Sequence, residues 1–212
     1  MELYNYFRSS ASWRVRIALA LKGLDYDYRP IHLVRKEQSS PEYLETSGTG
    51  LVPLLVLDDG TRLHQSMAII EYLDETMPEP PLLPRDALGR ARVRALAQDI
   101  ACEIHPLNNT RVLGYLSGTL AVADDARGAW IRHWIETGLE VVERQLAAQP
   151  STYCHGETPG LADCALVPQI FNGRRFDCDT SAMPTVMRVF DACMEVDAFK
   201  HAVPAEQPDA EP

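Results

Sequence analysis

Four prolines, Pro78, Pro80, Pro81 and Pro84, fall within seven residues and divide the chain more firmly than any other feature in it. Proline can neither donate to a sheet ladder nor continue a helix interior, so no regular element runs through this stretch and it reads as a linker. Before it, short runs rich in β-branched and aromatic side chains alternate with helical ones; after it, strand signals vanish and helical periodicity dominates. A chain of 212 residues is long enough for two modest domains, each burying its own core. The expected boundaries are 1–80 for an α/β domain and 86–212 for an all-α one.

In the first part, LYNYF (3–7) has β-favouring side chains, and Trp13, Ile17 and Leu21 then recur every four residues as in a helix, with Gly23 suited to its C-terminal cap. Tyr26, Tyr28 and Ile31 suit a second strand, and a short helix is predicted around Glu42 to Glu45. Pro53 introduces the strand LLVL, and Asp58-Asp59-Gly60 turns it into a hairpin that ends at His64. Ser66 begins a helix whose apolar face is Ile70, Leu73 and Met77 and which Pro78 closes.

The second part reads as helices over 87–116, 124–148, 161–175 and 184–196. Pro106 lacks a backbone donor, so the first of these is predicted to kink there. Four residues apart at helical spacing, His105 and Asn109 are expected to share a face. Gly160 stands at the start of the 161–175 helix, where Asp163 can reach back to its backbone.

Composition excludes several function classes. The net charge of −10 comes without any long basic cluster, which argues against a nucleic-acid surface. No apolar run approaches the ~18 residues of a membrane span, and MELYNYF has no basic region followed by an apolar stretch, so the chain is assigned to the cytoplasm. The five cysteines make no CxxC pair, and His133 with Glu136 is an isolated pair, so no metal is expected. Gly48 and Gly50 form a GxG fragment, but a strand and a proline follow it where a dinucleotide fold needs a helix. Arg8, Arg14, Arg16, Arg174 and Arg175 remain as local positive charge in an acidic chain, which points to a small acidic substrate.

The order strand, helix, strand, hairpin and helix, with proline before the third strand, resembles the thioredoxin-like half of a glutathione transferase. The segments YFRSSASWRVRIALALKGLDY (6–26), LVP (51–53), HQSMAIIEYL (64–73) and ETPGLADCALVPQ (157–169) resemble the zeta class, the maleylacetoacetate and maleylpyruvate isomerase group, over nearly the whole chain. SSxSWRVRIAL is the most specific of these. The resemblance implies glutathione as cofactor, a homodimer, and glutathione-dependent cis–trans isomerisation of a maleyl diacid by reversible thiolate addition. A zeta-like transferase acting on α-haloacids and a non-catalytic glutathione or ligand binder are the alternatives. Four departures stand out: Ala11 replaces a common cysteine, Thr49 a common glutamine, Gly160 a common threonine or serine, and FDCDTSAMP (176–184) a different segment after Arg175.

A free thiol has a pKa near about 8.5, and lowering it by about two units takes roughly 2.7 kcal/mol of differential stabilisation. Ser9 and Ser10 stand where a strand gives way to a helix, so hydroxyl hydrogen bonds and the helix dipole both favour a thiolate there; Ser9 is the first choice, and either serine can instead act only as a helix cap. The backbone of Val52, with Pro53 expected cis by the resemblance, suits the cysteinyl unit of glutathione, and Gln65 and Ser66 suit its γ-glutamyl carboxylate. Gln38 and Thr49 are weaker candidates. Arg8, His105, Asn109 and Arg175 resemble the family's set of groups facing substrate and cofactor, with Arg111 in reserve. Arg174 lies about a hundred degrees around the helix from Arg175, so only one of the two is expected to face the site.

Overall fold

The structure is a computed structural model that describes residues 1–211. It divides into two compact units: Met1–Leu82 together with the chain from Glu195 onward, and Leu83–Met194. The sequence assigns everything after residue 86 to the second domain, whereas the contacts group the tail from Glu195 with the first unit.

The first unit contains β1 (Glu2–Asn5), α1 (Ser10–Leu21), β2 (Asp27–Pro30), α2 (Pro41–Ser47), β3 (Leu54–Val56), β4 (Arg62–His64) and α3 (Ser66–Thr76). The strands form one sheet in the order β2-β1-β3-β4, with β1 parallel to β2 and antiparallel to β3, and β4 antiparallel to β3. Gly60, at φ 84°, makes the positive-φ turn between β3 and β4. β1 is shorter than LYNYF predicts because the carbonyls of Tyr6 and Phe7 leave the ladder and accept instead from the Arg16 guanidinium, at 3.3 and 2.9 Å.

α1 is buried nearly all round: Trp13, Val15, Ile17 and Leu19 pack in the core, each worth about 1.5–3 kcal/mol on full burial. Arg14 and Arg16, read from sequence as part of the local positive potential near the substrate, are each only 2% exposed. Arg16 is structural: besides Tyr6 and Phe7 it donates to Asn5 Oδ1 at 3.1 Å and to the Ala202 carbonyl at 3.0 Å. Burial lowers its pKa to about 10, so it keeps its charge at neutral pH. On the tail side, α9 (Asp197–His201) precedes a 3-10 turn at Pro204–Glu206. A cavity of about 330 Å³, lined by Arg16, Leu24, Tyr26 and His201 among others, contains none of the predicted site residues.

The second unit is helical: α4 (Ala87–Gln98), α5 (Thr110–Gly118), α6 (Asp124–Ala148), α7 (Leu161–Arg175) and α8 (Pro184–Met194). α7 is buried over most of its length. Its start is fixed by Asp163, which accepts from Gly160 N at 2.8 Å and from Cys154 N at 2.8 Å, with the Cys193 thiol 3.6 Å away. Between α4 and α5 the predicted kinked helix is instead a π segment, Asp99–Ile104, followed by a 3-10 segment, His105–Asn108. Pro106 has no N–H to give and its ring crowds the carbonyl one turn back, so the ladder cannot continue as a plain α-helix.

Candidate active site

Strand register gathers three loops at one end of the sheet. β1 ends at Asn5, beside the beginning of β3, because Tyr4 pairs with Leu54; β4 ends at His64, which also pairs with Leu54. The segments leaving β1 (Tyr6–Ser10), entering β3 (Val52–Pro53) and leaving β4 (Gln65–Ser66) therefore lie at the same end.

Ser9 is the N-cap of α1, with φ −68° and ψ 115°, and its Oγ accepts from Ser12 N at 3.2 Å. Capping uses a lone pair and leaves the hydroxyl proton to be donated elsewhere, so the cap and a bond to an anion are compatible. Ser9 is partly exposed, whereas Ser10 lies inside the first turn and is 8% exposed, which favours Ser9 as the donor. Ala11 presents no thiol. Arg8 is exposed; its Nη2 donates to Tyr6 Oη at 3.2 Å, and the guanidinium lies 5.3 Å from the Phe7 ring centre.

The Val52–Pro53 peptide is cis. Neither main-chain polar group of Val52 is hydrogen-bonded to another described residue, and the Tyr43 hydroxyl steadies the loop by donating to Leu51 O at 2.6 Å. Gln65 has φ 70° and ψ 112°, a sparsely populated conformation for a side chain of this kind that costs on the order of 1–3 kcal/mol. Its side chain makes no capping bond. The first backbone bond of α3 runs from Ile69 N to Gln65 O, so the N–H groups of Ser66, Met67 and Ala68 point out of the helix terminus, where a carboxylate is favoured. Arg14 Nη1 donates to Ser66 Oγ at 3.3 Å, bringing a buried cation to the same terminus. A short peptide with a thiol on its central residue and a carboxylate at one end fits this donor set. Gln38 Oε1 is buried with no hydrogen-bond partner among the described residues, while Thr49 is exposed and its Oγ1 accepts from Leu51 N.

In the helical unit, His105 opens the 3-10 segment and is half-buried. Asn109 does not share a helical face with it. It is the N-cap of α5, and its Oδ1 accepts from Arg111 N at 3.0 Å and Val112 N at 3.1 Å, which leaves only its amide NH2 for a ligand. Arg111 is exposed on the first turn of α5. The 3-10 segment is pinned from two sides: Trp130 Nε1 donates to Leu107 O at 2.7 Å, and Asn172 Nδ2 to Asn108 Oδ1 at 3.4 Å. The second contact links the His105 segment to α7, three residues before Arg175. Arg174 stacks 4.3 Å from the Phe190 ring centre, within the unit's own packing, and Arg175 lies 5.5 Å from that of Phe176; both are exposed at the end of α7.

Sequence reasoning missed Arg14, Tyr43 and the Asn108–Asn172 pair as supports. The available signal for Arg14 was a charge inside a helix whose neighbours are all core residues.

A thioredoxin-like sheet unit with an all-helical unit is the glutathione transferase architecture, and residues 8–76 match the family described as Glutathione S-transferase, N-terminal domain. A probable maleylacetoacetate isomerase from Vibrio cholerae is 46% identical over 98% of this chain and 97% of its own length. The holo structure of a bacterial maleylpyruvate isomerase, described as a zeta-class glutathione S-transferase, superposes with a TM-score of 0.97 at 46% identity and full coverage of both chains. A maleylacetoacetate isomerase from Anaeromyxobacter dehalogenans, solved with dicarboxyethyl glutathione and citrate in its active site, gives 0.89 at 43% identity over 100% of this chain and 97% of that one. The chain belongs to the zeta-class glutathione transferase family of maleylacetoacetate and maleylpyruvate isomerases.

Proposed function

We propose that this protein is a glutathione-dependent isomerase that converts a maleyl diacid, maleylacetoacetate or maleylpyruvate, into its fumaryl isomer. The observation that carries the reading is the common end of the sheet that presents Ser9, with its hydroxyl proton available, the Val52 backbone that bonds to no other described residue, and the open N-terminus of α3. The names and bound ligands of the relatives support the substrate class.

Glutathione, when bound, would supply a thiolate able to add reversibly to the cis double bond, leaving a single bond about which the diacid can turn before the sulfur is expelled. Val52 would pair with the cofactor's main chain beside Pro53, and Gln65, Ser66 and the α3 terminus would hold its γ-glutamyl carboxylate; in the helical unit, the Asn109 amide NH2 is a further candidate cofactor group. Ser9, with Ser10 behind it, donates to the sulfur while the positive end of α1 favours its negative charge. Arg8, in the sheet unit, is suited to a substrate carboxylate; within the helical unit Arg175 has the same bidentate chemistry, and His105 can donate to an oxygen on which negative charge grows, a role worth a few kcal/mol in comparable sites. We further propose a cytoplasmic homodimer, on the support of family membership; light scattering that gives one chain's 23.7 kDa would contradict the dimer.

The test is to follow the absorbance of each cis diacid with enzyme, with and without glutathione. Loss of the cis absorbance that requires both supports the proposal. No loss with either substrate refutes it, and chloride release from an α-haloacid with net use of the thiol would favour a transferase.

A further inference from the structure

We propose that Asp209 is a positioning residue for Ser9, holding the active-site loop from the opposite end of the chain. The proposal rests on the reading of Ser9 as the donor to the cofactor's sulfur.

The loop between β1 and Ser9 has few anchors of its own. One is the turn bond from Ser9 N to Tyr6 O, at 3.0 Å. A second is the Arg8 bond to the Tyr6 hydroxyl, and further ones come from outside. Asp209 Oδ2 accepts from Phe7 N at 3.1 Å, across 202 residues of chain, and Oδ1 accepts from the Tyr28 hydroxyl. Arg16 takes the carbonyls on either side of that N–H and at the same time grips Ala202 O, so the tail and the loop share one guanidinium. Gln207, 9% exposed, fixes the turn that presents Asp209 by donating to His201 O and Val203 O, each at 2.9 Å. Beyond it, Glu211 meets His32 Nε2 at 3.2 Å and also pairs with Arg35, while the His32 ring packs edge-on 4.9 Å from Tyr6.

The Tyr6–Phe7 peptide is therefore bonded at both its carbonyl and its N–H, and the Phe7 carbonyl is held as well. Burial and Asp209 together raise the Tyr28 phenol well above its ordinary pKa, so it stays a donor across the working range. Here the half-buried carboxylate bonds the main chain that sets the direction of the Ser9 hydroxyl.

The experiment is an ultraviolet pH titration of the thiolate of enzyme-bound glutathione, run on the full chain and on Ser9→Ala, Asp209→Ala and Tyr28→Phe. Melting temperatures are taken alongside. Ser9→Ala is expected to raise the bound thiol's pKa by about one pH unit or more. Asp209→Ala should raise it by about half a unit, roughly threefold less thiolate at a pH below the pKa, with the KM for glutathione within twofold. Should Asp209→Ala not fold, Tyr28→Phe carries the same readout, with a smaller shift of the same sign. A shift in Ser9→Ala with none in Asp209→Ala or Tyr28→Phe overturns the positioning role and leaves Ser9 standing. No shift in Ser9→Ala overturns both.

Discussion

Arg14 Nη1 lies 3.3 Å from Ser66 Oγ, a buried contact between residues 52 positions apart that ties the helix after β1 to the helix after β4. Through it, the segment proposed to ionise the thiol and the segment proposed to hold the carboxylate share a support. Replacing Arg14 with Met keeps an apolar stem and removes the donor and the charge. Glutathione affinity is expected to fall about tenfold, about 1.4 kcal/mol, as measured by calorimetric titration. Unchanged affinity would mean that the α3 terminus binds the carboxylate without this support.

The two arginines that end α7 should separate cleanly. On the proposed reading, Arg175→Ala raises the KM for the diacid by at least about tenfold, because a bidentate carboxylate contact is lost. Arg174→Ala should leave that KM within about twofold and lower stability by about 0.5–1 kcal/mol, since its guanidinium stacks on Phe190. Steady-state kinetics and thermal melts on the same two variants distinguish the roles.

Gly138 in α6 is where the helical unit admits the Ile104 side chain: a Cβ there would stand 2.3 Å from Ile104 Cγ1 and 2.6 Å from its Cδ1. Gly138→Ala must displace the residue that precedes His105, at a cost of about 1–3 kcal/mol. Turnover should fall together with the denaturation midpoint. Adding Ile104→Ala should relieve the clash, so the double variant loses less stability than the two single changes summed.

Much of the frame is legible in the sequence because its signals are local. Ser9 and Ser10 mark the start of α1, Pro53 the start of β3, Asp58-Asp59-Gly60 the hairpin, and Asp163 the cap at Gly160. The misread positions depend on competition or on distance. His105 and Asn109 look like one helical face only if the ladder runs through Pro106; it widens and then tightens around that residue, and the Asn109 side chain captures two N–H groups to begin a new helix. The tail from Glu195 looks like part of the helical domain because nothing near Asp209 in sequence reveals that its partners are Phe7 and Tyr28. Arg14 and Arg16 look like positive charge for an acidic substrate because the acceptors that allow their burial lie on other segments.

Asp163 should leave a pH signature. Its burial holds the carboxyl above its ordinary range despite the backbone N–H groups it accepts. As pH rises past about 4, the unfolded chain releases this proton before the folded one, so the folded state binds more protons and stability falls until the folded pKa is passed. Urea midpoints across that window should show the protein losing stability relative to Asp163→Asn as pH rises, with the difference levelling off above the folded pKa. A difference that stays flat would mean the carboxyl titrates as an ordinary surface group.

The central claim is that the cofactor's thiol acts as a catalyst and is not consumed. Proton NMR of a mixture holding enzyme, a sub-stoichiometric amount of glutathione and an excess of maleylpyruvate or maleylacetoacetate tests it directly. The account predicts complete conversion to the fumaryl isomer with the glutathione signals unchanged at the end. Conversion that stops after one equivalent, with the thiol locked in a stable adduct, would contradict it.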